Sequence, residues 1–175
     1  MILLRRLALS KYHRVMISDI VIRVIADALV IPVVLVGAYA LLFKVPKGER
    51  FAAYSRVLMA GLTAYLLAKF AGTIYQPETL RPFEQLGVEA GALYLNNPGF
   101  PSDHALFVTA IACAVWFETK LKKTALVLFT LVLLIAVGRV IALVHTPADV
   151  IGGIVIALIG ALWYLEGRGF RKKTT

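Results

Sequence analysis

The chain has 175 residues, about one domain, with 60% hydrophobic residues, a mean hydropathy of +0.82 and a net charge of +9. Soluble domains average about 45–50% apolar residues, and one this small could not bury the excess, so the composition excludes a water-soluble protein and calls for a bilayer. The basic residues gather at the ends of apolar runs, where anionic headgroups favour them, without the aromatic–basic interleaving of single-strand binders; this argues against nucleic acid as a partner.

Residues 1–19 mix Leu, Ile and Met with Arg5, Arg6, Lys11, His13 and Arg14. The segment is too charged to span and shows no small-residue cleavage site after a clean apolar core. It is predicted as an interfacial amphipathic helix rather than a signal peptide. From Ile20 to Phe43 the chain is apolar apart from Arg23 and Asp27, an i,i+4 pair, and this is the first predicted span. Lys44 to Arg50 is a basic loop with Pro46 and Gly48. The second span runs from Phe51 to Tyr75 and carries Lys69 near its far end. A long loop, Gln76 to Ser102, holds Arg81-Pro82-Phe83 and ends in Asn96-Asn97-Pro98-Gly99.

The third span, Asp103 to Phe117, is short against the ~20 residues a bilayer core requires, so its polar start is expected in a protein-lined cavity below the membrane surface. Glu118 to Lys123 is a tight basic loop, and the fourth span runs from Thr124 to Val144 with Arg139 near its end. His145-Thr146-Pro147-Ala148-Asp149 makes a turn and opens the fifth span, which ends near Leu165. Gly153, Ala157 and Gly160 on that span read as small-residue helix packing. The lone Cys113 lies in an apolar run and reads as packing. With no repeat and no soluble second domain, the expectation is one domain over 1–175. It is an all-α integral membrane helical bundle of about five transmembrane helices plus the N-terminal interfacial helix.

Five spans put the 76–102 loop and the 139–149 turn on one side of the membrane. The other side holds three Lys and Arg in the 44–50 loop, three in the 118–123 loop and four in the tail. The positive-inside rule makes that second side cytoplasmic, so the polar residues face outward from a cell membrane. The basic N-terminal segment then lies along the outer leaflet.

On the outward side fall Lys69, Arg81, Ser102, His104, Arg139, His145 and Asp149. Each would cost a few kcal/mol facing lipid, so their gathering on one side marks a site. Pro101-Ser102 ahead of an apolar run reads as a helix N-cap, whose free N–H groups suit a phosphate oxygen. Lys69, Arg81 and Arg139 add positive charge, and the planar guanidinium fork matches phosphate. Two histidines can divide nucleophile and acid between them. Asp149, four residues after His145, could orient that ring. Equally, Thr146, Pro147 and Asp149 make a good helix start with no catalytic meaning. Two His and two Asp could ligate a metal, but three neighbouring cations would repel it, and neither H-E-x-x-H nor a Cys pair is present; no metal or other cofactor is expected. No P-loop or G-x-G-x-x-G appears.

Arg81-Pro82, Pro101-Ser102-Asp103-His104 and Gly138-Arg139-x5-His145-x3-Asp149 resemble, in order and spacing, the three signature motifs of the type 2 phosphatidic acid phosphatase superfamily. The likeness runs from Lys69 to Leu165, with the motifs within 69–149. It implies a helical bundle that hydrolyses phosphate esters without metal through a phosphohistidine. Carried over, His145 is the nucleophile, Asp149 orients it and His104 protonates the leaving group. Arg81, Ser102 and Arg139 hold the phosphoryl oxygens, with Asp103 and Lys69 beside them. Three positions depart from the pattern: Ile74 stands where a Lys is usual, Asp103 replaces a Gly, and Gly138 replaces a Ser, which removes one donor. The Phe-Pro-Ser-Asp-His wording and the five-span layout resemble undecaprenyl-diphosphate phosphatases of the bacitracin-resistance type. That likeness implies a polyprenyl diphosphate substrate, with phosphatidic acid or phosphatidylglycerol phosphate as alternatives. A non-enzymatic lipid-phosphate binder is the alternative of another class.

Overall fold

In lipid no water can satisfy the backbone, so long apolar runs must close their own hydrogen bonds as helices. A computed structural model describes residues 18–76, 80–95, 97 and 99–165, and among these no strand occurs. Helix α1 (Ser18–Lys44) contains a π-turn at Val24–Ala28. A 3₁₀ turn, Lys47–Glu49, leads into α2 (Arg50–Ile74). A single turn, α3 (Pro82–Gln85), interrupts the long loop. Then come α4 (Asp103–Glu118), α5 (Lys122–Ile141) and α6 (Pro147–Gly160), the last continuing as irregular helix to Leu165. The amphipathic helix expected over 1–19 falls mostly outside the described residues; Ser18 and Asp19 belong to α1.

The protein is an all-helical membrane bundle. Helices α1, α2, α5 and α6 are each long and apolar enough to cross a bilayer. Their outer faces carry exposed Leu35, Phe43, Leu58, Phe70, Val127 and Leu133, side chains that lipid would solvate. The shorter α4 is the central post, touching α1, α2, α5 and α6. Its Val108, Ala112 and Val115 are buried with Val33 and Ala40 of α1 and with Leu128, Val132 and Ile135 of α5.

Small residues set the distances. The inner face of α2 is Ala53, Ala60, Ala64 and Ala68. A Cβ on Gly160 would lie 2.5 Å from the Ala60 carbonyl oxygen, and one on Gly153 would lie 2.5 Å from the Ser102 carbonyl oxygen. Backbone therefore meets backbone where α6 crosses α2 and the start of α4, as the small-residue pattern anticipates.

Two expectations are corrected, and the long loop gains detail. Asp27 does not pair with Arg23: its carboxylate accepts from Arg139 of α5 and from the Leu93 backbone N–H. The long loop contains α3 and is stitched to the end of α5. Phe83 N donates to the Leu143 carbonyl and Gly91 N to that of Ala142, each at 3.0 Å. Glu118 does not open the basic loop; it closes α4 and is gripped by Arg56 of α2 at 2.6 and 2.7 Å.

Candidate active site

Four helix ends and one loop meet at the end of the bundle opposite the basic loops. Helix α5 stops at Ile141, and Leu143 turns the chain with φ of 59°, a left-handed conformation costly for a branched side chain. That turn delivers His145 to the start of α6. There Thr146 caps the helix through a reciprocal box. Its Oγ1 accepts from Asp149 N at 3.2 Å, and Asp149 Oδ2 accepts from Thr146 N at 2.8 Å. The same Oδ2 lies 3.4 Å from His145 Nδ1, and both side chains are almost fully buried. The two readings of Asp149, helix cap and ring neighbour, hold together.

Burial pushes the His145 imidazole below its ordinary value of 6.5; the adjacent Asp149 works against that shift, and the charges of Arg139 and Arg81 reinforce it. The ring is therefore neutral at pH 7, with a lone pair free for bond formation.

Ser102 is completely buried at the start of α4. Its N–H donates to the Asp149 carbonyl at 2.9 Å, which ties the beginning of α4 to the beginning of α6. Its Oγ caps Ala105 N at a long 3.5 Å. His104, half-buried in the first turn, is near enough to feel the charges of Arg139, Asp27, His145 and Asp103.

The two arginines are employed differently. Arg139, 1% exposed, donates from Nη1 to Asp27 Oδ1 at 2.6 Å. Its buried Nε has no partner among the described residues, and neither does His145 Nδ1 at hydrogen-bond geometry. Arg81 spends its fork on the loop instead. Nη1 donates to the Val144 carbonyl at 2.5 Å, and Nη2 to the Leu95 carbonyl, the Asn97 carbonyl and Asn97 Oδ1 at 2.9–3.1 Å. Its guanidinium also lies over the Tyr94 ring. Arg81 thus holds the loop closed and contributes charge at the His145 and Arg139 sites.

Lys69 and Asp103 form an outer tier. They face each other at 3.8 Å, each about half exposed, and Lys69 also covers the Tyr65 ring. Both line a cavity of about 170 Å³ with Phe100 and Pro101. Asn97, which the sequence reading did not single out as a site residue, connects the tiers: it donates to Asp103 Oδ2 at 3.2 Å and accepts from Arg81. Asp27 is the other missed member. It lines an apolar groove of about 660 Å³ with Val24, Ala28, Ile31, Leu93 and Tyr94. Among the described residues no three His, Cys, Asp or Glu side chains gather as a set of metal ligands.

A buried neutral imidazole beside a carboxylate, an arginine with a free donor, and a capped helix start suit attack on a phosphoryl group whose oxygens take those donors. The PAP2 superfamily profile matches residues 51–173, a stretch that contains every residue of the cluster except Asp27. No curated protein and no solved structure matches the chain.

Proposed function

Because the chain belongs to the PAP2 superfamily, which acts as phosphatases on lipid phosphates, we propose that it removes the terminal phosphate of undecaprenyl diphosphate at the outer face of the cell membrane. As the anionic diphosphate arrives beside it, His104 takes up a proton from water; His145 then attacks phosphorus, the bond to the leaving oxygen breaks, and His104 passes that proton to the leaving oxygen. Water then attacks the phosphohistidine while His104 takes its proton back, releasing inorganic phosphate and the lipid monophosphate. Asp149 keeps the His145 ring oriented. Arg139 and the N–H groups at the start of α4 receive the phosphoryl oxygens, with Ser102 beside them. Arg81, Lys69 and Asp103 act at one remove, Arg81 through the loop and the other two at the rim.

The observation that carries this reading is the unpartnered Arg139 Nε beside buried His145. A buried donor left unpaired costs about 1–3 kcal/mol, a cost an incoming phosphate oxygen would remove. The apolar groove beside Asp27 supports a lipid substrate, since a hydrocarbon chain can lie there while its headgroup meets Arg139. The outward orientation rests on the basic loops at the opposite end.

The test is phosphate release by purified protein in detergent with a chelator present, comparing undecaprenyl diphosphate, phosphatidic acid and phosphatidylglycerol phosphate. The diphosphate should give the highest kcat/KM, and His145→Ala should abolish turnover of all three. A preference for either glycerolipid overturns the substrate assignment. Binding of lipid phosphate without any release, in wild type as in His145→Ala, overturns the enzymatic reading.

A further inference from the structure

Gly138 stands where the superfamily signature has Ser, and the structure shows what occupies the space of the missing side chain. A Cβ there would lie 2.7 Å from Ile25 Cγ2, 3.0 Å from Ala26 N and 3.1 Å from Ala26 Cα. The π-turn of α1 is seated directly on this glycine. Such turns insert an extra residue into a helix and recur at functional sites. Here the turn presents Asp27 to the next residue of α5: Asp27 Oδ1 accepts from Arg139 Nη1 at 2.6 Å, and Oδ2 accepts from Leu93 N at 2.8 Å. One carboxylate joins α1, α5 and the loop that carries Arg81. Arg139 is 1% exposed, and its Nε has no partner.

We propose that Asp27 is a positioning residue for phosphoryl transfer: it anchors one arm of Arg139 so that the Nε edge meets the phosphoryl oxygens. The inference rests on Arg139 being a phosphate ligand, as read above. An arginine has four side-chain torsions, and without an anchor it follows the substrate rather than the transition state. A charged carboxylate on Nη1 fixes the guanidinium plane. It also repels an anionic substrate, so it aids ground-state binding little. The signature of this arrangement is a loss in kcat rather than in KM. A pair that served only to hold helices together would instead lower thermal stability and leave the kinetics of the folded fraction unchanged.

The experiment uses the full chain in detergent, with undecaprenyl diphosphate and phosphatidic acid as substrates and inorganic vanadate as a mimic of the five-coordinate phosphoryl group. Asp27→Asn should lower kcat about 10- to 100-fold with KM within about threefold, since misplacements near 1 Å cost on that order. Vanadate inhibition should weaken in parallel. Adding Asp27→Asn to Arg139→Lys should cost nothing further, because both changes remove the same alignment. If Asp27→Asn does not fold, Asp27→Glu keeps the charge but displaces it by one methylene. It should weaken vanadate inhibition at an unchanged melting temperature, and an unchanged vanadate affinity overturns the proposal. Wild-type kcat in Asp27→Asn, a faster enzyme, or losses that multiply with those of Arg139→Lys each overturn it as well. A wild type that releases no phosphate, or an Arg139→Lys variant at full activity, overturns the reading of the site and this inference with it.

Discussion

Gly138→Ser restores the signature residue and its hydroxyl, so motif logic alone expects a gain of function. Packing expects a loss. Carbon atoms rest about 3.5–4.0 Å apart, and the new Cβ would start 2.7 Å from Ile25 Cγ2, so α1 and α5 must separate by about 0.8 Å. The Asp27–Arg139 contact sits one residue away, and the same displacement would stretch its 2.6 Å to about 3.4 Å, beyond the 2.7–2.9 Å of a charge-assisted hydrogen bond. Overpacking of this kind costs about 1–3 kcal/mol, which for a chain of this length lowers the melting temperature by roughly 2–12 °C. Thermal unfolding in detergent and phosphate release below the transition read the two effects separately. The variant should melt earlier and turn over more slowly. A Gly138→Ser protein that melts with the wild type and matches or exceeds its kcat would refute the packing argument.

Gly153→Ala puts a methyl 2.5 Å from the Ser102 carbonyl and 3.0 Å from Leu106 N, both backbone atoms; it should destabilise by about 1–3 kcal/mol and reduce activity by pushing the start of α4 from α6, seen as paired losses in melting temperature and kcat. Arg56→Ala leaves the Glu118 carboxylate buried without its partner at the far end of the bundle. The destabilisation should approach, but stay under, the ~3–5 kcal/mol of a fully buried pair because Arg56 is partly exposed, and kcat and KM of the folded protein should be unchanged. For His145, burial puts the folded value below 6.5, so the acid limb of kcat/KM that reports loss of the neutral nucleophile should lie below pH 6.5. Stability carries the same sign: the unfolded chain binds the proton first, so the His145 contribution is intact above pH 6.5 and is lost as pH falls toward the folded value. Urea titrations of wild type and His145→Ala across that window should converge.

The spans and the polar punctuation between them were legible because length, hydropathy and helix capping are local properties. Ser102 and Thr146 cap the helices expected of them, and the short third span is the buried post α4. What escaped was every partner chosen at a distance. Asp27 looked paired with Arg23 one turn away, yet it meets Arg139, 112 positions along the chain. Glu118 looked like a loop charge because nothing near it in sequence announces Arg56. Arg81 carries the charge of a phosphate ligand, and its two terminal nitrogens also hold the carbonyls of Leu95, Asn97 and Val144, which depends on where those three residues come to rest. Gly138 looked like a missing hydroxyl and is a docking surface for a π-turn that no periodicity foretells.

The central claim is that His145 forms the bond to phosphorus. Rapid quenching of the enzyme turning over terminally radiolabelled undecaprenyl diphosphate, with chelator present, should trap label on the protein. That label should survive alkali, be lost in acid, map to His145, and be missing from His145→Ala. Phosphate release at full rate from a His145→Ala variant, or label mapped to any other residue, would contradict it.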